Sequence, residues 1–157
     1  LNDGWSSSMR RASEMEHMGK PVHLGLRGLG SARPNDVQDA AANGSTFITA
    51  REIYDRGGKE VAKTLPGMDD IYIHFDVDVM DLAIASGAGA PAMGGLDYWQ
   101  ATDLLQGTAN SGRVIAAHFS SFVPSLDPSG ITSMLVAQLI MNLISAMARS
   151  NQFEHLN

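Results

Sequence analysis

The chain has 157 residues, 44% of them hydrophobic, and it carries a formal net charge of −6 at pH 7. This length predicts one substantial core and a single domain over residues 1–157. The acidic balance argues against a nucleic-acid partner, which would need clustered lysine and arginine side chains. Because cysteine is absent, disulfides and thiolate ligands are excluded, and any metal must be bound by oxygen or imidazole groups.

The sequence shows no pattern typical of a signal peptide, a transit peptide or an apolar run long enough to span a bilayer. We therefore expect a cytoplasmic protein without a membrane partner. The first residue is Leu1, so the chain need not be complete.

The first part of the chain alternates helical and extended patterns. Ser6 to Met18 has methionine and alanine at helical spacing, which predicts a helix. Val22 to Leu29 alternates as a strand, and its expected inward residues are Val22, Leu24 and Leu26. Further helices are expected at residues 36–42, 50–55 and 60–65, with a short extended segment at 46–48.

A strand from Asp70 to Asp78 is the most informative element. Strict alternation places apolar and polar side chains on opposite faces, the apolar set being Ile71, Ile73, Phe75, Val77 and Val79 and the polar set Tyr72, His74, Asp76 and Asp78. Two carboxylates on one face repel each other and lose hydration unless a cation or hydrogen bonds offset the cost. Oxygen-rich pairs suit divalent metals, although two solvated aspartates at a strand end are an equally good interpretation of so short a pattern.

The last third of the chain continues the alternation. Asp97 is predicted to cap a helix from Tyr98 to about Asn110, followed by a strand at residues 114–119 and a long helix at residues 130–149. These elements predict an α/β protein with a doubly wound sheet, in which ligands bind at the carboxyl ends of the strands. The last helix is apolar on more than one face, so it forms either a subunit contact or a layer between the sheet and another helix.

Other parts of the sequence admit both a functional and a structural interpretation. His74 is either a strand histidine with a local hydrogen bond, the more ordinary case, or a further metal ligand or supporting donor. The loop Gly87 to Pro91 lacks the Lys-Ser/Thr of a phosphate-binding loop, and we interpret it as structural. Arg10 and Arg11 either contact an anion at a helix start or, the more ordinary case, are solvated or ion-paired at the surface.

The run 75-FDVDVMDLAIASGAGAPAMGGL-96 resembles the second metal-binding signature of the arginase and agmatinase (ureohydrolase) family. Other segments resemble family motifs in the same order along the chain, namely Met9-Arg10-Arg11-Ala12, 22-VHLGLRG-28, Pro124-Ser125-Leu126-Asp127 and Ile131-Thr132. Asp81 matches a family aspartate near the metal loop, where it either orients that loop through hydrogen bonds or caps a turn.

This resemblance implies an arginase-like, three-layer αβα fold with a mainly parallel doubly wound sheet, of which the chain would be the C-terminal portion. It implies that Asp76 and Asp78 bind a binuclear divalent metal centre, with Mn²⁺ expected and Ni²⁺ as the alternative. A metal-bridging hydroxide would then cleave a guanidino-type C–N bond and release urea and an amine. The remaining ligands belong to family motifs that this chain does not contain. The implied partners are a small guanidino-type substrate and further subunits in a homo- or hetero-oligomer, either a trimer or a hexamer.

The chain departs from the family where the substrate would bind. Ser121 occupies the position of a family glutamate that resembles a partner for guanidinium, so a bidentate charged contact is replaced by a neutral hydroxyl. Asn2 to Trp5 stand where the family often has His-Gly, and no catalytic side chain is identified.

We therefore expect a divergent ureohydrolase, such as a guanidine or biguanide (metformin) hydrolase. The alternatives are a non-catalytic subunit that supports an active paralogue in a hetero-oligomer, and a binding domain with a structural cation site.

Overall fold

The computed structural model describes residues 7–28 and 33–154. Its contacts divide the chain into two compact units, Leu1–Thr49 and Ala50–Asn157. A single domain over residues 1–157 stays a prediction.

In the part of the first unit that the structure describes, there are two α-helices and a pair of parallel strands. Its elements in chain order are α1 (Ser8–Ser13), β1 (Val22–Leu26), α2 (Pro34–Ala42) and β2 (Thr46–Thr49). Helix α2 begins with a proline at its first position. Proline has no backbone N–H, but an N–H at this position would have no hydrogen-bond partner within the helix. Helix α2 and strand β2 confirm the expectations for residues 36–42 and 46–48.

Two predictions in the first unit were wrong in detail. Helix α1 was expected to reach Met18 but ends at Ser13. The Ser13 hydroxyl donates a hydrogen bond to the Arg10 carbonyl, and turns follow the helix. Strand β1 does not bury Leu26, which is 40% exposed, because Gly25 has a φ of 83° and the register with β2 shifts beside it. Ser6 and Leu29 lie outside the described residues.

Arg10 and Arg11 in the first unit are ion-paired, as expected. Arg10 donates to the carboxylates of Asp36 and Asp39 at 3.3 and 2.8 Å, and Arg11 donates to Glu14 at 2.7 Å. Hydrogen bonding and charge attraction from Asp39 raise the pKa of Arg10.

The second unit holds the β–α–β core of the described chain. Its elements in order are α3 (Ala50–Arg56), α4 (Gly58–Ala62), β3 (Asp70–Asp76), α5 (Tyr98–Ser111), β4 (Arg113–Ser120) and α6 (Ile131–Arg149). Strands β3 and β4 are parallel neighbours and α5 lies between them in sequence, which is the crossover that parallel strands require. The core residues of α5 and α6 include Leu104, Leu105, Leu135, Leu139 and Leu143.

Strand β3 alternates between exposed and buried residues as predicted, but it is shorter than predicted. Ile71, Ile73 and Phe75 are buried while the residues between them are exposed. The strand ends at Asp76, because its carboxylate accepts a hydrogen bond from the Asp78 N–H and turns the chain into a 3-10 helix at Val77–Val79. The prediction that Val77, Asp78 and Val79 continue the two faces of the strand was therefore wrong.

Helix α6 is apolar on two sides, as the sequence indicates. Leu135, Leu139 and Leu143 are buried, whereas Met134 and Met141 are 58% and 61% exposed. Among the residues that the structure describes, α6 is the one helix long and apolar enough to cross a membrane, contrary to the sequence-based expectation. One such helix is weak evidence for a membrane span, because the core helix of a soluble protein passes the same test.

The start of α5 generates a stability prediction. Asp97 accepts a hydrogen bond from the Gln100 N–H at 2.8 Å, and the Gln100 side chain accepts one from the Asp97 N–H at 3.0 Å. Asp97→Ala removes this capping box and should lower the free energy of unfolding by about 1 kcal/mol. Urea denaturation measures the change, with Asp69→Ala at an exposed site as the control. A loss no larger than that of the control would contradict the assigned cap.

Candidate metal centre

Asp76 is the last residue of β3 and Asp78 lies two residues beyond it, and main-chain N–H groups orient both carboxylates. Asp76 Oδ1 accepts a hydrogen bond from the Asp78 N–H at 3.0 Å, and Asp78 Oδ1 accepts one from the Ala90 N–H at 2.8 Å. Asp76 is exposed and Asp78 is half-buried. Each carboxylate is thus oriented through one oxygen by a donor that carries no charge of its own.

Asp81 closes the loop that follows the aspartate pair. Its Oδ1 accepts a hydrogen bond from the Ala83 N–H at 2.9 Å, while Oδ2 accepts from the N–H groups of Gly94 and Gly95 at 2.8 and 3.1 Å. Asp81 therefore caps a local turn and also holds the far end of the loop, while its place next to a metal centre stays a prediction. A Cβ atom on Gly95 would collide with the backbone of Met80 and Asp81, which explains the glycine there.

The loop from Gly87 to Pro91, the glycine loop, is hydrogen-bonded to the segment after β4. The Gly89 N–H donates to the Ser121 carbonyl at 2.8 Å, and the Val123 N–H donates to the Gly87 carbonyl at 2.9 Å. The Gly87 N–H donates to Thr132 Oγ1 at 2.9 Å. Because these N–H groups already have partners within the fold, the structure agrees with a structural role for the loop and not with a phosphate cradle.

Asp127 anchors the other end of this network. Its carboxylate accepts hydrogen bonds from the Thr132 N–H at 3.0 Å, the Ser133 N–H at 2.8 Å and the Ser133 hydroxyl at 2.7 Å. Burial raises the pKa of Asp127, but the bonds from Ser133 and Thr132 together outweigh burial and leave the pKa below its usual value. Since Thr132 also holds Gly87, this cap positions the glycine loop.

Two predicted site residues lie near the end of β4. His74 shares a hydrogen bond with the Ser120 hydroxyl, with 2.8 Å between Nε2 and Oγ, so it has the local partner of an ordinary strand histidine. Ser121 has a φ of 62°, a left-handed conformation uncommon for serine. The proposed substrate contact of Ser121 and the alternative roles of His74 stay predictions.

Sequence reasoning missed two groups at this site. Ser120 pairs with Asp76 in the register of β3 and β4, and Ala90 supplies the N–H that orients Asp78. The signal for Ser120 was the parallel pairing of two strands that each end in a polar residue. The Ala90 contact depends on the path of the loop, for which the sequence has no pattern.

The donor chemistry suits part of a divalent metal site. Two carboxylates separated by one residue, each oriented by a backbone donor, can contribute to an oxygen-rich centre. Within residues 7–28 and 33–154, no group of three or more His, Cys, Asp or Glu side chains is arranged to hold a metal. The described chain therefore fits as the source of two ligands, not as a complete site. Asn2 to Trp5 lie outside the described residues.

Fold and site together define an α/β protein with parallel strand pairs and an aspartate pair at a strand's carboxyl end. Residues 4–145 match the model of the Arginase family, and the chain belongs to this family. The family resemblance seen in the sequence is thereby confirmed.

Several relatives share this similarity. Guanidinopropionase of Pseudomonas aeruginosa is 30% identical over 134 residues, which cover 83% of this chain and 42% of the relative. Putative agmatinase 3 of Schizosaccharomyces pombe is 30% identical over 131 residues, covering 82% of this chain and 32% of the relative. This chain thus spans less than half the length of these relatives.

Solved structures confirm the arginase-like αβα fold. Proclavaminate amidino hydrolase from Streptomyces clavuligerus aligns with a TM-score of 0.74 and 30% identity over 82% of this chain and 43% of its own. Arginase from Bacillus caldovelox aligns with a TM-score of 0.69 over 78% of this chain and 42% of its own, and at 24% identity that likeness concerns the fold alone.

The Asp127 cap generates a pH prediction. A carboxylate whose pKa is lowered in the folded state stabilises the fold above its unfolded pKa, near the ordinary value of 3.8, and this contribution is lost as the pH falls through the folded pKa. Asp127→Asn should therefore lower the urea midpoint at about pH 7, and the difference from wild type should narrow below about pH 4.

Urea denaturation at about pH 7 and about pH 3 measures this difference, with the exposed Asp69→Asn as the matched control. A gap between wild type and Asp127→Asn that stays constant or widens toward acid pH would contradict the role assigned to the carboxylate.

Proposed function

We propose that this chain contributes Asp76 and Asp78 to a binuclear divalent metal centre of a hydrolase that cleaves a guanidino-type C–N bond and releases urea and an amine. One observation carries the proposal: the two aspartates of a family signature lie at a strand's carboxyl end, and the N–H groups of Asp78 and Ala90 orient them. The names of the relatives, guanidinopropionase and agmatinase, support a guanidino compound as the substrate.

The residues of this chain would perform two tasks. Asp76 and Asp78 bind the metal, for which Mn²⁺ is the first candidate and Ni²⁺ the second. Asp81, Thr132 and Asp127 keep the glycine loop in place, so that the Ala90 N–H continues to orient Asp78. When bound, the metal ions would activate water and stabilise the charge that develops during hydrolysis.

A supporting, non-catalytic subunit is the second candidate. Ser121 in place of the family glutamate removes the charged contact that would fix a guanidinium group, which favours this alternative. The exposed methionines of α6 offer a surface for assembly with an active paralogue. Purification of the protein from its native cell with a related, metal-replete chain would support this candidate.

Replacing Asp76 tests the proposal. In the protein at its natural length, Asp76→Asn removes a charged ligand, so bound metal should fall from about two ions to fewer than one per chain. Urea release should fall at least about 100-fold. Metal analysis and urea assays with agmatine, guanidinopropionate, guanidine and metformin measure both effects. The exposed Asp69→Asn serves as the control.

The outcomes separate the candidates. Unchanged urea release in Asp76→Asn would eliminate this chain as the catalytic subunit. A wild-type protein that binds less than one ion and releases no urea would favour the supporting subunit or a structural cation site.

A further inference from the structure

Ser120 lies beside the proposed metal centre. It is the last residue of β4, and its backbone pairs with that of Asp76 at the end of β3. Because paired residues of parallel strands project to the same face and the strands are about 4.8 Å apart, the Ser120 hydroxyl and the Asp76 carboxylate are near neighbours. They share the edge of the sheet at which α/β proteins bind ligands.

His74 orients the Ser120 hydroxyl from the neighbouring strand. The distance between His74 Nε2 and Ser120 Oγ is 2.8 Å. The His74 ring is in turn stacked on that of His118, with centroids 5.1 Å apart and 27° between the planes. The stacked pair and the hydrogen bond restrict the hydroxyl to a defined direction at the end of the two strands.

The end of β4 has no carboxylate but offers hydroxyl groups that can accept hydrogen bonds. Residues 118–122 read His-Phe-Ser-Ser-Phe and contain no carboxylate. A guanidinium group has N–H donors and no acceptor, so each of its partners must be an acceptor. The serine oxygen has two lone pairs, so at least one can accept from such a donor while Ser120 is hydrogen-bonded to the His74 ring.

The neighbouring Ser121 differs from Ser120 in its constraints. Its backbone is left-handed, and its carbonyl accepts the Gly89 N–H that ties the glycine loop to β4. Within the described residues, Ser120 is the serine whose hydroxyl is oriented by another side chain at this edge.

We propose that Ser120 is a substrate-binding residue that accepts a hydrogen bond from the guanidino group, and that His74 is the positioning residue that orients its hydroxyl. The inference rests on the proposed function and names the contact that replaces the family's charged one. A serine hydroxyl carries no negative charge and offers a single oxygen, so this contact lacks the attraction between opposite charges and the bidentate geometry that a carboxylate supplies.

The experiment uses the protein at its natural length, loaded with Mn²⁺. Steady-state kinetics with agmatine and NMR titration with guanidinium chloride in the millimolar range are measured for wild type, Ser120→Ala, Ser120→Thr, His74→Ala and the double variant His74→Ala/Ser120→Ala. Ser125→Ala, at an exposed position after β4, is the matched control. Metal content and thermal unfolding are recorded for every variant.

Ser120→Ala should raise KM for agmatine and Kd for guanidinium about tenfold, with kcat within about twofold and metal content unchanged. Ser120→Thr retains the hydroxyl, so its KM for agmatine and Kd for guanidinium should stay within about threefold of the wild-type values. His74→Ala should resemble Ser120→Ala, and the double variant should be no weaker than Ser120→Ala alone, because the two residues act through one contact.

A Ser120→Ala variant with wild-type KM and Kd would overturn the inference, as would losses that add fully in the double variant. If wild type releases no urea from agmatine but binds guanidinium in a manner that depends on Ser120, the proposed reaction fails while the contact stands. If wild type releases urea but neither KM nor Kd depends on Ser120, the proposed reaction stands and the Ser120 contact fails.

Discussion

The structure around the site depends on one constraint, which is that two carboxylates follow a buried strand with a single residue between them. Like charges at this spacing repel each other, and a backbone N–H donor to each carboxylate offsets part of that repulsion. The Asp78 N–H bonds to Asp76 and ends the strand, and the Ala90 N–H bonds to Asp78 and fixes the loop. Thr132, held by the Asp127 cap of α6, then anchors the base of that loop.

The elements that could be predicted are those with a local signal. Helix α5 has its cap within four residues, and β3 follows the alternation of Ile71, Ile73 and Phe75. The end of β3 at Asp76 could not be predicted from periodicity, since apolar residues continue the pattern and a side-chain hydrogen bond interrupts it. Gly25 likewise breaks the alternation of β1 through a positive φ and a register shift, which a pattern of hydrophobic residues does not encode.

The site shows the same division between local and long-range signals. Asp76, Asp78 and Asp81 lie within one short segment, and the sequence is enough to propose all three as candidates. Ser120 is 44 residues from Asp76 along the chain, and only the register of two parallel strands makes them neighbours. Hydrogen bonds of this kind depend on the path of the whole chain, so no spacing rule could have indicated that His74 orients a serine at the edge of the sheet.

The central claim is that Asp76 and Asp78 are metal ligands, and crystallography with anomalous scattering tests it most directly. Crystals of the protein at its natural length, grown with Mn²⁺ and measured at the manganese absorption edge, should show anomalous density about 2.0–2.6 Å from carboxylate oxygens of both residues. Density at other residues, or none near these carboxylates at full Mn²⁺ loading, would contradict the account.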